Sequence, residues 1–168
     1  MATGPLPEPV AEAPLLWGVP APGGRTPWAG ARSRLAAARN VWLCAVDGGQ
    51  PHVRPVWAVW LPEGLAFSTG SPTLGRGCDG GPLTATTENG DEPVILEGTG
   101  RRVLDSGLLE RFAAELSTKY DWPARATEDG MADADGNAGP VFLLRPHVAF
   151  GWGRDMASPT RWRFATSP

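Results

Sequence analysis

The sequence predicts a mainly β chain with a few helices, its strands closed into a barrel or buried against a second subunit. The first observation is the stretch from Asn40 to Gly70, NVWLCAVDGGQPHVRPVWAVWLPEGLAFSTG. Three runs rich in β-branched and aromatic residues are separated there by DGGQ and PEG, as in consecutive short strands joined by turns. The second is the phase of the middle run. Val53, Pro55, Trp57 and Val59 share one side, while His52, Arg54, Val56, Ala58 and Trp60 share the other. Neither side is fully polar, which suits a sheet covered on both faces. The third is size: 168 residues make one domain, able to bury on the order of 70% of its unfolded surface around a single core.

The elements follow in order. Residues 1–26 form an arm of closely spaced prolines among Ala, Gly and Leu, unsuited to a helix interior or a central strand, and predicted extended or disordered. Leu15, Leu16 and Trp17 are its bulky apolar residues, which leave two readings open: docking on the barrel or on a partner subunit, or a loosely tethered tail. Trp28, Ala31, Leu35 and Ala38 recur at helical spacing after Pro27, with Asn40 as the stop. In the first strand Val41, Leu43 and Ala45 alternate against Trp42, Cys44 and Val46. The third strand covers Leu65 to Thr69. Five glycines between Gly70 and Gly81 predict a loop with at most one helical turn.

A fourth strand, Leu83 to Glu88, turns at Asn89-Gly90, and a fifth spans Pro93 to Leu104. Gly98 and Gly100 interrupt the fifth, as at bulges or where something approaches closely. Asp105 caps the clearest helix, whose stripe of Leu108, Leu109, Phe112 and Leu116 is expected to cover one mouth of the barrel, with Lys119 near its end. The acidic stretch from Tyr120 to Gly139 is predicted to be a solvated loop. Pro146, within the last strand from Val141 to Trp152, predicts an edge position or a bulge. Residues 153–168 form a tail whose tryptophans imply that it folds back onto the barrel, residues 27–152, or onto a dimer partner.

The net charge of -3 disfavours nucleic acid and an anionic membrane surface as partners. No apolar run approaches the roughly 20 residues that cross a bilayer and no leader pattern opens the chain, so the cytoplasm is the expected location. Cys44 and Cys78 lack CxxC spacing and are expected to be reduced; with His52 and His147 they make a poor ligand supply, and no metal is assigned. DADGNAG has the look of a calcium loop but no glutamate at the closing position. There is no nucleophile elbow, Ser-His-Asp arrangement or phosphate-cradling GxxxxGK.

The ordered series WLCAVDGGQPHVRPVWAVW, LAFSTG, VILEGTGRRV and SPTRWRF resembles the pyridoxamine 5'-phosphate oxidase-like flavin-binding split-barrel family, and within it the actinobacterial branch that includes enzymes using the deazaflavin coenzyme F-420. The resemblance implies a six-stranded, antiparallel, Greek-key-like split β-barrel, homodimeric, with FMN or F-420 between subunits and hydride transfer to or from a small organic substrate. It places Val53, Arg54, Pro55, Val56 and Trp57 along the isoalloxazine edge, and Ser68, Thr69 and Ser71 near the ribityl chain and phosphate. Arg161, Trp162 and Arg163 fall in a segment that reaches a cofactor site across the dimer interface. Family members carry a helix resembling S-x-K-x-x-N-L after the third strand; here the segment reads SPTLGRGCDGG, and Arg76 is its one cation. Several alternatives stay open. Arg54 can be a rim cation, Trp57 a core aromatic, and Trp162 with Phe164 a fastening for the tail. The barrel can also bind haem or a flavin without turnover, or no cofactor. No catalytic residue is assigned. His52 and His147 are expected to be partners within the barrel, His52 being the better candidate for proton transfer.

Overall fold

The computed structural model describes residues 4–165. In chain order these form β1 (Val10–Glu12), β2 (Leu15–Leu16), β3 (Val19–Pro20), α1 (Trp28–Ala37), β4 (Val41–Asp47), β5 (Gln50–Val56), β6 (Ala58–Leu61), β7 (Gly64–Ser68), α2 (Pro72–Cys78), β8 (Pro82–Thr87), β9 (Val94–Arg102), α3 (Ser106–Tyr120), β10 (Ala124–Ala126), β11 (Met131–Asp133), β12 (Ala138–Gly139), β13 (Val141–Gly153) and, after a 3-10 turn, β14 (Ala157–Arg163). The fold is mainly β with three helices, and its strand pairs are antiparallel.

Side-chain alternation sets the large sheet. Val41, Leu43 and Ala45 of β4 are buried, while Trp42 is 46% and Val46 41% exposed on the opposite face. The strand order is β1-β14-β13-β9-β8-β4-β5, with β7 pairing both β6 and β13. One core joins α1 and α2 to the inner face through Trp28, Leu35, Leu43, Leu74, Phe67 and Trp162. A second lies under α3, where Leu108, Leu109, Phe112 and Leu116 meet Val59, Leu61, Ala66 and Leu143. Asp105 caps α3 by accepting the Leu108 N–H at 2.8 Å, as its sequence pattern requires.

Pro146 does not mark an edge. β13 pairs with β9 along its length, and its other side pairs with β7 at Val141–Leu144 and with β14 at Val148–Gly153. The ladder to β9 shifts register between Pro146 and Val148, so the proline sits at the bulge where the strand changes partners.

Two further expectations are corrected. The glycine-rich stretch after β7 forms the seven-residue helix α2, capped by Ser71 with Pro72 in its first turn, not a loop with one turn at most. Gly77 is required by packing, since a Cβ there would lie 2.7 Å from the Val46 carbonyl oxygen. The stretch after α3 holds the sheet β10-β11-β12, whose Met131, Ala132 and Asp133 are buried, not a solvated loop. The C-terminal segment is a full strand of the large sheet. The N-terminal arm is not structureless: β1 takes the outer edge of β14, and β2 and β3 form a hairpin turning at Trp17 and Gly18, both at positive φ. Leu15 is 68% and Trp17 95% exposed, so neither packs against the large sheet.

Trp162 is the largest fully buried side chain. It meets Trp28 edge-on with ring centroids 5.5 Å apart and donates its Nε1 hydrogen to the Thr26 carbonyl at 2.9 Å. Trp162→Ala should therefore lower unfolding free energy by about 3–5 kcal/mol in urea denaturation. A loss below about 1 kcal/mol would show that the ring is not a core element.

Candidate functional site

The site grows from the β7–α2 junction. Ser68 ends β7 and donates its hydroxyl hydrogen to the Pro140 carbonyl at 2.8 Å. Thr69 Oγ1 accepts the Ser71 N–H at 3.1 Å, and Ser71 Oγ accepts the Leu74 N–H at 3.3 Å as the cap of α2. Both hydroxyls act here as acceptors, which leaves each hydrogen free to donate to a ligand. One turn into α2, Arg76 donates from Nε and Nη2 to the same Asp47 oxygen at 3.0 and 2.7 Å. Its side chain is 61% exposed.

Thr69, Ser71 and Arg76 line a cleft of about 630 Å³ whose walls also include Asp79, Arg102 and Phe142. That volume suits a nucleotide-sized small molecule. Arg102 is a cation that sequence reading missed. Its Nη2 donates to the Asp129 carbonyl at 3.1 Å and to Asp129 Oδ2 at 3.2 Å, and its backbone N–H donates to Asp79 at 3.0 Å. Strand alternation separates Arg101 from Arg102, but alternation alone does not say which faces a cleft.

A phosphate-bearing flavin asks for cations and hydroxyl donors at its phosphate end, and the cleft supplies two guanidiniums and two free hydroxyl hydrogens. The donor set fits that group. Asp47 and Asp129 each pair with one guanidinium and Asp79 adds a third carboxylate, so any attraction for an anion is local to the arginine donors and not a broad positive field.

Gly70, Ala138 and Gly139 also border a second cavity of about 220 Å³, walled by Trp57, Phe112, Leu116, Trp122 and Met131, with Ser68, Asp133 and Asn137 as its polar lining side chains. Trp57 stacks on Tyr120 at 4.5 Å and meets Trp122 edge-on at 5.7 Å. Tyr120 and Lys119 fix this corner by donating to the Ala58 carbonyl at 3.0 and 2.8 Å. Burial pushes the Tyr120 pKa up and the Lys119 pKa down. Asp133 accepts the side-chain N–H of Asn137 and the backbone N–H groups of Asn137 and Asp135, which hold its carboxyl below the usual range. The acidic DADGN segment is thus a self-bonded turn.

The structure gathers Trp57, Ser68, Thr69, Ser71 and Arg76 along two adjoining cavities. Val53, Arg54 and Pro55 lie exposed on β5 and line neither; Val56 is buried. Pro51 and Pro55 share a strand phase with Val53, and since proline cannot donate to the ladder this phase points away from β4. Val53 is the one residue of that phase on β5 with an N–H to offer. Arg161 and Arg163 both pair with Glu12 of β1. Trp162, at 1% exposure, shows no ring face to a ligand and, with the buried Phe164, takes the fastening role that the sequence left open. His147 is exposed at the β13 bulge and His52 half-buried on the edge strand, so neither is an interior partner.

No family model and no curated protein matches the chain. Solved structures do. A protein of the pyridoxinephosphate oxidase family related to general stress protein 26, from Clostridium acetobutylicum, superposes with a TM-score of 0.57 at 10% identity, covering 80% of this chain and 92% of that one. An FAD-binding protein from Mycobacterium smegmatis gives 0.52 at 14% identity, covering 84% and 100%. An F420 reductase gives 0.51 at 20% identity, covering 77% and 98%. The likeness shows a fold shared with pyridoxamine 5'-phosphate oxidase-like proteins, as the motif order implied.

Cys78 closes α2, and burial, then the neighbouring Asp79, pushes its thiol up to about 12. It should resist thiol reagents at pH 8 in the native protein and react after denaturation. Because the unfolded thiol ionises first, near 9, stability should fall as pH rises from about 9 towards 12. Fast native labelling of Cys78, tested in a Cys44→Ser background, would contradict this burial.

Proposed function

We propose that the chain is a split-barrel protein that binds FMN or the deazaflavin coenzyme F-420 and transfers hydride to or from a small organic substrate. The observation that carries this reading is the cleft at the β7–α2 junction, where Thr69, Ser71, Arg76 and Arg102 meet around one volume of about 630 Å³. The resemblance assigns Thr69 and Ser71 to the cofactor's phosphate and ribityl end, and Arg76 is the one cation in the segment where family members carry their phosphate-binding lysine. The FAD-binding and F420 reductase neighbours support the same class of ligand. The bound ring would supply the redox chemistry; the protein's part is to grip the phosphate, present the ring and exclude water.

The reading includes a homodimer. Trp42, Val46 and Val53, each more than 40% exposed, stand together with Pro51 and Pro55 on the outer face of β4 and β5. A paired, largely apolar surface of this kind is what a second copy covers. Trp42→Lys with Val53→Lys should convert a dimer to a monomer in sedimentation; a monomeric parent protein would remove this part of the reading.

A second reading, a barrel without redox turnover, is favoured by one observation: Arg76 and Arg102 are each already paired to a carboxylate. Absorbance and thermal-shift titration with FMN, F-420 and haem, followed by a search for substrates that bleach the bound ring, separates the two. Saturable FMN or F-420 binding with substrate-dependent bleaching supports the oxidoreductase; flavin binding without bleaching, a Soret band on added haem, or no response to any of them supports the barrel without turnover. Arg76→Ala should weaken binding by about 1.5 kcal/mol, roughly tenfold, at the low end for charged hydrogen bonds because Arg76 is well exposed. Asp47→Asn should act in the opposite direction by removing the competing carboxylate. Unchanged dissociation constants in both variants would take Arg76 out of the site.

A further inference from the structure

We infer that the smaller cavity is the substrate pocket, and that it takes a single-ring aromatic molecule carrying a hydrogen-bond donor or a positive charge while rejecting aromatic carboxylates. Its role as a substrate pocket rests on the cofactor reading of the adjoining cleft; its ligand class rests on the cavity's own lining.

Size comes first. An apolar protein cavity of roughly 150 Å³ accepts benzene, so about 220 Å³ holds a six-membered ring with a short substituent and is too small for a flavin tricycle. The walls come next. Trp57, Phe112 and Trp122 offer aromatic surface, and Leu116 and Met131 complete the apolar walls of a cavity that opens to the surface. Aromatic faces favour a flat ring and attract a cation.

Polarity then selects. The Ser68 hydroxyl hydrogen is engaged by the Pro140 carbonyl, so towards the cavity that side chain can only accept. Asp133 is a carboxylate held in its ionised form by its own turn. The lining contains no lysine or arginine. A ligand amine or hydroxyl finds acceptors here, whereas a ligand carboxylate meets Asp133 with the second amide hydrogen of Asn137 as a neutral donor and no cation to offset the repulsion. The contrast with the adjoining cleft is sharp: both guanidiniums lie there. Through the shared Gly70, Ala138 and Gly139 an anionic cofactor group and a neutral or cationic ring would occupy neighbouring but chemically distinct volumes.

The two tryptophans make the test direct. Purified protein is titrated with benzylamine, phenol and benzoate while tryptophan fluorescence and melting temperature are followed, and FMN and F-420 titrations run in parallel. Benzylamine and phenol should quench and stabilise saturably, at least tenfold more tightly than benzoate. Met131→Trp should fill the cavity and abolish that response; Leu116→Phe, a smaller intrusion, serves if Met131→Trp does not fold. Both variants should leave cofactor titrations unchanged. Benzoate binding as tightly as benzylamine, no saturable response to any probe, or probe binding undiminished in a folded filled variant would overturn the proposal. Probe binding with the predicted preference but no cofactor binding would support the ligand class and overturn only the cofactor reading.

Discussion

A single strand with three partners holds this molecule together. β13 runs beside β9 throughout, and at the Pro146 bulge its other side passes from β7 to β14. A proline is excluded from a central ladder because it removes a donor, yet where one partner strand ends and another begins the missing donor is tolerated and the bend it brings is used. Gly98 lies opposite, so close to the Arg145 carbonyl that no side chain fits. Without that approach β9 could not follow β13 through the bend. The β7 that half of β13 supports is the strand that launches α2 and the cleft.

The position of α2 is likewise set by backbone contact. Gly77 lies against the Val46 carbonyl and Ala45, and Gly100 against the Cys78 carbonyl, which bring the helix down onto β4 and β9. The glycines that lower helix propensity are those that allow this packing. Arg76 gains its place from the same contact, because the helix delivers it to Asp47 at the end of β4.

This explains what was legible in the chain. β4 announced its buried face through period-two alternation, and α3 its stripe through period-three-and-four spacing, because each is long enough for a pattern to repeat. α2 was not legible: propensity counted Gly75 and Gly77 as breakers, while tertiary contact made Gly77 a requirement. β10, β11 and β12 have only two or three residues each, too few for any period. Of the site, the residues near the β7–α2 junction were found by motif order. Arg102 was not, because its facing depends on how β9 pairs. For Trp162 two roles stayed open, although Thr160, Trp162 and Phe164 share one strand phase, the pattern of an inward face.

The cleft's charge arrangement follows from these constraints. An arginine on a seven-residue helix would ordinarily lose considerable side-chain freedom on gripping an anion. Asp47 already orients Arg76, and Asp129 orients Arg102, so much of that ordering is complete before a ligand arrives. The same carboxylates compete for the guanidiniums, so preorganisation and attraction pull in opposite directions. The balance favours a ligand able to engage both arginines at once, since two simultaneous charged contacts with Thr69 and Ser71 as further donors outweigh what either pair yields alone. A phosphate offers more oxygens for such contacts than a lone carboxylate. Selectivity in this cleft would then arise from ligand shape and valence rather than from net charge.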